Sequence, residues 1–196
     1  MELEASMTLT PSSMLPLGTT MPEFSLPEPL TGNIVSSSQI KPDQATLVMF
    51  ICNHCPYVIH LADHISMLAS DYSGRDIAIF AMNSNDVKTH PADSPDNMVA
   101  EAQHRGYVFP YLFDETQEVA RAFGAACTPD FFLFDRDRKL VYRGQFDNSR
   151  PGGGKPVTGE DLREAINATL AGEPVSQNQV PSTGCNIKWK PGNERI

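Results

Sequence analysis

The sequence predicts an α/β domain: a central mixed β-sheet flanked by helices. Two apolar runs about 30 residues apart, Leu47 to Ile51 and Ile77 to Met82, have the composition of buried strands. Between them Val58, Leu61, Ala62, Ile65, Leu68 and Ala69 recur at steps of three and four, one face of an amphipathic helix. Strand, helix and strand at that spacing form a βαβ unit, whose parallel strands need a helical crossover. Downstream, Phe131 to Phe134 and Leu140 to Tyr142 flank a four-residue polar turn and read as an antiparallel hairpin.

The other elements can be placed in chain order. Residues 1–21 are rich in Ser, Thr, Met and Pro without a period and read as an N-terminal arm. Residues 22–172 form the main domain, opening with a small hairpin from Pro22-Glu-Phe-Ser-Leu-Pro and Gly32-Asn-Ile-Val-Ser. After the second strand, residues 83–95 are a polar loop, and Ser94-Pro95 caps a short helix to about Arg105. Tyr107 to Phe113 holds a further short strand. Asp114-x-x-Gln117 resembles a capping box for a helix carrying Val119, Ala120 and Phe123, stopped at Gly124. Thr158 opens a last helix through Leu162, Ala165, Ile166 and Leu170, ended at Gly172. Residues 173–196 are a C-terminal tail with little periodicity that holds a cysteine and the single tryptophan.

The 196 residues suit one domain with a sizeable core, and the formal charge of −9 argues against nucleic acid or an anionic membrane as partner. No apolar run reaches the roughly 20 residues of a membrane span, and the first residues lack the basic start and apolar middle of a secretory signal. A cytoplasmic location is therefore expected, where four cysteines point to catalysis or metal binding rather than a disulfide framework.

The chemistry centres on Cys52-Asn53-His54-Cys55-Pro56-Tyr57, at the junction of the first strand and helix. A helix N-terminus favours a thiolate, and a dithiol works by one thiolate attacking a disulfide while the second resolves the mixed disulfide. Cys52, taken as the cysteine nearer the helix end and solvent, is the expected nucleophile. Cys55, one turn in, is the expected resolving thiol. His54 between them can stabilise the thiolate. Zinc binding is the alternative from another class, a non-enzymatic module with Cys52, Cys55, His60 and His64 as ligands. Against it, structural zinc sites draw their second ligand pair from a separate loop, and both histidines fall on the polar side of the helix pattern. No cofactor or metal is expected.

Three stretches resemble the redoxin branch of the thioredoxin-like proteins, the alkyl-hydroperoxide-reductase/thiol-specific-antioxidant-like group. They are the Cys-Asn-His-Cys-Pro-Tyr site, Cys127-Thr128-Pro129-Asp130 entering the hairpin, and Pro181-Ser-Thr-Gly-Cys-Asn-Ile-Lys-Trp-Lys190. The resemblance covers residues from about 15 to 193. It implies a thioredoxin-like fold and a thiol–disulfide oxidoreductase with an antioxidant role. Its partners would be protein or small-molecule disulfides and a thioredoxin- or glutathione-type electron donor. It also implies a cis-proline at Pro129, with Thr128 offering backbone hydrogen bonds to an extended substrate. Thioredoxins carry a buried acid before their first cysteine, where this chain has Thr46, so Asp130 becomes a candidate proton acceptor for Cys55.

A thiol-dependent peroxidase of peroxiredoxin-like type is the alternative within the enzyme class. That signature places a threonine three residues and a proline seven residues before the reactive cysteine. Counting back gives Met49 and Ala45 from Cys52, and Cys52 and Val48 from Cys55, so neither fits. Cys127 and Cys185 remain as secondary redox candidates: each is either a small buried hydrophobe, or part of a folded-back tail in which Cys185 bonds Cys127 or relays electrons. The loop Asn83-Ser-Asn-Asp86 lies at the strand edge where α/β proteins place sites, and Arg143 to Asp147 is a further candidate loop.

Overall fold

A computed structural model describes residues 9–194. The first eight residues of the expected arm lie outside that range. Strand β1 (Leu9–Pro11) opens the described chain, followed by a hairpin of β2 (Ser25–Pro27) and β3 (Ile34–Ser36). The βαβ unit is β4 (Ala45–Phe50), α1 (Pro56–Asp71) and β5 (Ile77–Asn83). Next come α2 (Pro95–Arg105), β6 (Tyr111–Phe113), α3 (Glu118–Phe123) and a two-residue strand β7 (Cys127–Thr128). The hairpin β8 (Asp130–Phe134) and β9 (Leu140–Gly144), then α4 (Glu160–Ala171) and the tail strand β10 (Thr183–Asn186), complete the order.

The main sheet runs β6-β5-β4-β8-β9, with β4 parallel to β5, β5 parallel to β6, and the β8–β9 hairpin antiparallel. Strand β4 lies at its centre with all six residues buried, which is why its sequence is a continuous apolar run rather than an alternation. Leu47 and Met49 point to one face, packed with Ile65 and Leu68 of α1, Met98 of α2 and Ile166 of α4. Val48 and Phe50 point to the other, with Phe123 of α3, Phe132, Phe134 and Phe24 of the small hairpin. This is a thioredoxin-like fold, a helix layer on each face of a mixed sheet.

A second sheet, β1-β10-β7, is made by the two ends of the described chain. Strand β10 lies between β1 and β7, pairing Cys185 with Leu9 on one side and Thr128 on the other. Gln117 fastens the tail beyond β10. Its Nε2 donates to the Ser84 and Lys188 carbonyls at 2.6 and 2.9 Å, and its Oε1 accepts from the Lys190 N–H at 2.8 Å. The expected capping box does not form: Gln117, not Asp114, is the N-cap of α3, and it makes no side-chain cap hydrogen bond. Asp114 accepts from the Ala120 N–H in the first turn of α3, while Gln117 takes positive φ and spends its side chain on the tail.

Asp130 does not serve Cys55. Along β8, residues 130, 132 and 134 share one face by strand alternation, and Phe132 and Phe134 pack on the side away from the two cysteines. Asp130 accepts from the Ala126 N–H through Oδ2, while its Oδ1 is buried without an aligned partner, as is Ser12 Oγ nearby. Burial pushes its carboxyl up to about 7. A raised carboxyl pKa gives stability that is complete below the unfolded value and is lost as pH rises through the folded one. Asp130→Asn, which mimics the protonated acid, should match the wild type near pH 4 and exceed it at pH 8. About three pKa units set an upper bound near 4 kcal/mol for the gain. Urea unfolding of both proteins across that range measures it, and parallel pH profiles would contradict the assignment.

Candidate functional site

Helix α1 begins at Pro56, and this fixes the site. A proline disfavours helical backbone at the residue before it, so Cys55 takes extended φ −69°, ψ 124° and becomes the N-cap. Cys52 is three residues further back, outside the helix. The expected placement, with Cys52 at the helix end and Cys55 one turn in, is thus corrected: the second cysteine holds the helix N-terminus. Both are buried, at 3 % and 0 % exposure, Cys52 the less completely so.

Four groups converge on the Cys55 sulfur. Cys185 Sγ, from β10, lies 2.7 Å away, and the Thr128 carbonyl oxygen is at 3.3 Å. Cys52 is its other hydrogen-bonding neighbour, and the start of a 16-residue helix adds its dipole. Hydrogen bonding from Cys52 lowers the Cys55 thiol most; burial opposes this, Cys185 adds to it, and the balance is about 5. Burial pushes Cys52 well above the ordinary range and, with the Cys55 charge alongside, lifts Cys185 to about 12. Cys55 is thus the thiol whose pKa is lowered and Cys52 and Cys185 those whose pKa is raised, while in the protonated form the Cys55 S–H donates to the Thr128 carbonyl and to Cys185 Sγ. Cys52 Sγ also lies 3.4 Å from the Thr128 hydroxyl.

Asp93, which none of the sequence motifs singled out, completes the site. Its side chain is fully buried, and His54 Nδ1 lies 2.7 Å from Oδ2. The ring N–H points off the line to that oxygen, so charge rather than an aligned hydrogen bond holds the pair. Asn85 Nδ2 donates to Oδ2 at 2.8 Å and the Asn53 N–H to Oδ1 at 2.8 Å. Burial raises the Asp93 carboxyl, but these contacts together outweigh it and hold it below its ordinary value. The contact with Asp93 in turn raises His54, whose ring stacks on His90 at 5.1 Å. Nothing in the local sequence distinguishes Asp93 except its place in the loop at the carboxyl end of β5, where sites in such sheets gather.

The loop 83–86 supports this cluster. Asn83 donates to the Tyr111 hydroxyl, which donates to Asn53 Oδ1, and Asn85 also accepts from the Lys188 N–H of the tail. Thr128-Pro129 is a cis peptide bond facing the thiols. Cys127 is apart from them: its thiol donates to the Pro129 carbonyl, and its strand partner is Asn186. A Cys127–Cys185 bond is not present; Cys185 meets Cys55 instead, and among the described residues no two cysteines are joined by a disulfide. The Arg143 to Asp147 segment borders the same region, where Asp147 is occupied in accepting from the Ser149, Thr158 and Gly159 N–H groups.

The zinc set pictured from the sequence does not assemble. His60 Nε2 is 3.0 Å from Ser149 Oγ, and neither His60 nor His64 joins the cysteines. Among the described residues, one group of metal-ligating side chains lies close together: Cys52, His54 and Asp93, with donor atoms within 4.8 Å of one another. Both Asp93 oxygens already accept hydrogen bonds, so a cation there would displace contacts that hold the loop. Among the described residues no helix is long and apolar enough to cross a membrane.

The Redoxin family model matches residues 16–162. A hypothetical protein from Sinorhizobium meliloti 1021 is 50 % identical, with a TM-score of 0.91 over 93 % of this chain and 100 % of that one. An uncharacterized conserved protein from Geobacillus kaustophilus is 53 % identical, with a TM-score of 0.93 over 95 % and 99 %. A thioredoxin-family thiol:disulfide interchange protein from Chlorobium tepidum TLS shares the fold at 18 % identity, TM-score 0.61, over 78 % and 97 %. No curated protein matches the chain.

Removing His54 would leave the buried Asp93 carboxylate facing the thiols without its counter-charge. His54→Ala should therefore raise the Cys55 thiol by about one pKa unit, about 1.4 kcal/mol. Ultraviolet titration of thiolate absorbance in the two proteins reads the shift. An unchanged titration would mean that neither the imidazole nor the Asp93 charge it balances is felt at Cys55.

Proposed function

The chain belongs to the Redoxin family, and from that premise we propose that it is a thiol–disulfide oxidoreductase working through the Cys52/Cys55 couple, with Cys55 as the attacking thiol. One observation carries the reading: the Cys55 sulfur is held at the N-cap of α1 with a lowered pKa, between two thiols that keep their protons. A thiolate of this kind is the competent nucleophile.

The Cys55 thiolate attacks a disulfide RS–SR, forming Cys55–S–SR and releasing one thiolate. Cys52, deprotonated as it attacks, displaces the second thiolate and closes the Cys52–Cys55 disulfide. The Cys52 proton passes to one leaving thiolate and solvent protonates the other, so two electrons move from protein to substrate. A thioredoxin- or glutathione-type donor restores the dithiol by the reverse exchange. Asp93 and His54 act by position: the ion pair offsets a buried carboxylate that would otherwise raise both thiols. The proposed setting is the cytoplasm, where a reducing pool keeps four cysteines as thiols.

The order of roles is testable with two variants. Cys55→Ser should abolish reduction of a model disulfide. The double variant Cys52→Ser/Cys185→Ser should still attack and accumulate the mixed disulfide, visible as an added mass on Cys55. Trapping on Cys52 in the Cys55→Ser protein, with full retention of attack, would reverse the assignment.

A further inference from the structure

The edge of β7 beside the thiols is where an extended substrate would add a strand, and that edge is already taken. Strand β10 pairs antiparallel with it, setting Cys185 opposite Thr128 and Asn186 opposite Cys127. The approach is close enough to demand glycine: a Cβ on Gly184 would collide with the Thr128 carbonyl. The Ser182 hydroxyl closes the strand's near end, donating to the Pro129 carbonyl at 2.6 Å. Beside Pro129 there is left a cavity of about 20 Å³, room for about one water. The expectation that Thr128 offers open backbone to a substrate is therefore corrected, because the chain's own tail occupies the place.

The strand that fills this place carries a thiol. We infer that β10 is a built-in client of the site, and that Cys185 forms a disulfide with Cys55, resolving the mixed disulfide in place of Cys52 and then shielding the site as an internal substrate strand. The argument is positional: Cys185 Sγ is 2.7 Å from Cys55 Sγ, both are buried, and β10 is fixed between β1 and β7. The inference rests on the proposed role of Cys55 as attacking thiol. With a small-molecule disulfide RS–SR as oxidant, Cys55 forms Cys55–S–SR and expels the first RS⁻. The Cys185 thiolate then attacks Cys55 Sγ, the S–SR bond breaks, and the second RS⁻ leaves. The Cys185 proton is taken up by one leaving thiolate and solvent protonates the other, and the two electrons end on them. A small disulfide reaches the thiols by local opening of β10; a folded protein disulfide needs the strand removed.

The test oxidises the reduced full-length protein with glutathione disulfide, quenches with acid, alkylates and maps disulfides by mass spectrometry. The inference expects a cross-linked pair of peptides carrying Cys55 and Cys185, and near-complete conversion to it in Cys52→Ser. A glutathione adduct persisting on Cys55 of Cys52→Ser, with Cys185 alkylated, would overturn the inference and leave the attacking role of Cys55 standing. No modification of Cys55 at all would overturn both. Gly184→Ala supplies a second reading without touching a sulfur. Forcing β10 off Thr128 should slow formation of the Cys55–Cys185 link by about tenfold or more through loss of effective concentration. It should also expose Cys55 to a bulky polyethylene-glycol maleimide. Unchanged cross-linking and labelling in a folded Gly184→Ala protein would contradict the placement of β10 as a shield.

Discussion

Because a residue before proline is driven out of helical backbone, Pro56 sets where α1 starts and which sulfur meets its N-terminus. Cys55 is left extended at the N-cap, with the helix dipole behind it, and Cys52 is displaced to the strand side of the bend. The buried surroundings would by themselves favour the neutral thiol. Two S–H donors and the helix end overcome that at one sulfur only, and burial wins at the others. The competition lowers one thiol of the three and raises the other two.

The fold is legible in the sequence and the site only partly so. The strands β4 and β5, the face of α1 and the β8–β9 hairpin are written as apolar periodicity, and packing of that pattern admits few architectures. Cys52, His54 and Cys55 stand out because a thiol pair at a strand-to-helix junction is rare, and Thr128 and Pro129 stand out through the family resemblance. The roles proposed for the two cysteines are the reverse of those expected from the motif alone, although the cause is visible in the sequence. Proline in the first turn also dictates the conformation of the residue before it, and that residue is Cys55.

Other parts are hidden for physical reasons. Asp93 sits some 40 residues from Asn53 in sequence, in a polar loop whose residues look alike until the sheet brings one of them under the bend. Cys185 gives a clearer signal, as a cysteine within a Gly-Cys-Asn stretch of an aperiodic tail. Its partner depends on strand register, which pairs it with Thr128 and points its sulfur at Cys55 rather than Cys127. Gly184 makes sense only with the Thr128 carbonyl beside it.

Selective ¹³Cβ labelling of cysteine, followed by NMR titration of the fully reduced protein, reads the charge on each sulfur separately. The account predicts that Cys55 titrates with an acidic midpoint, near 5, while Cys52 and Cys185 keep their protons through neutral pH. A titration in which Cys52 loses its proton first, with Cys55 neutral at pH 7, would contradict it.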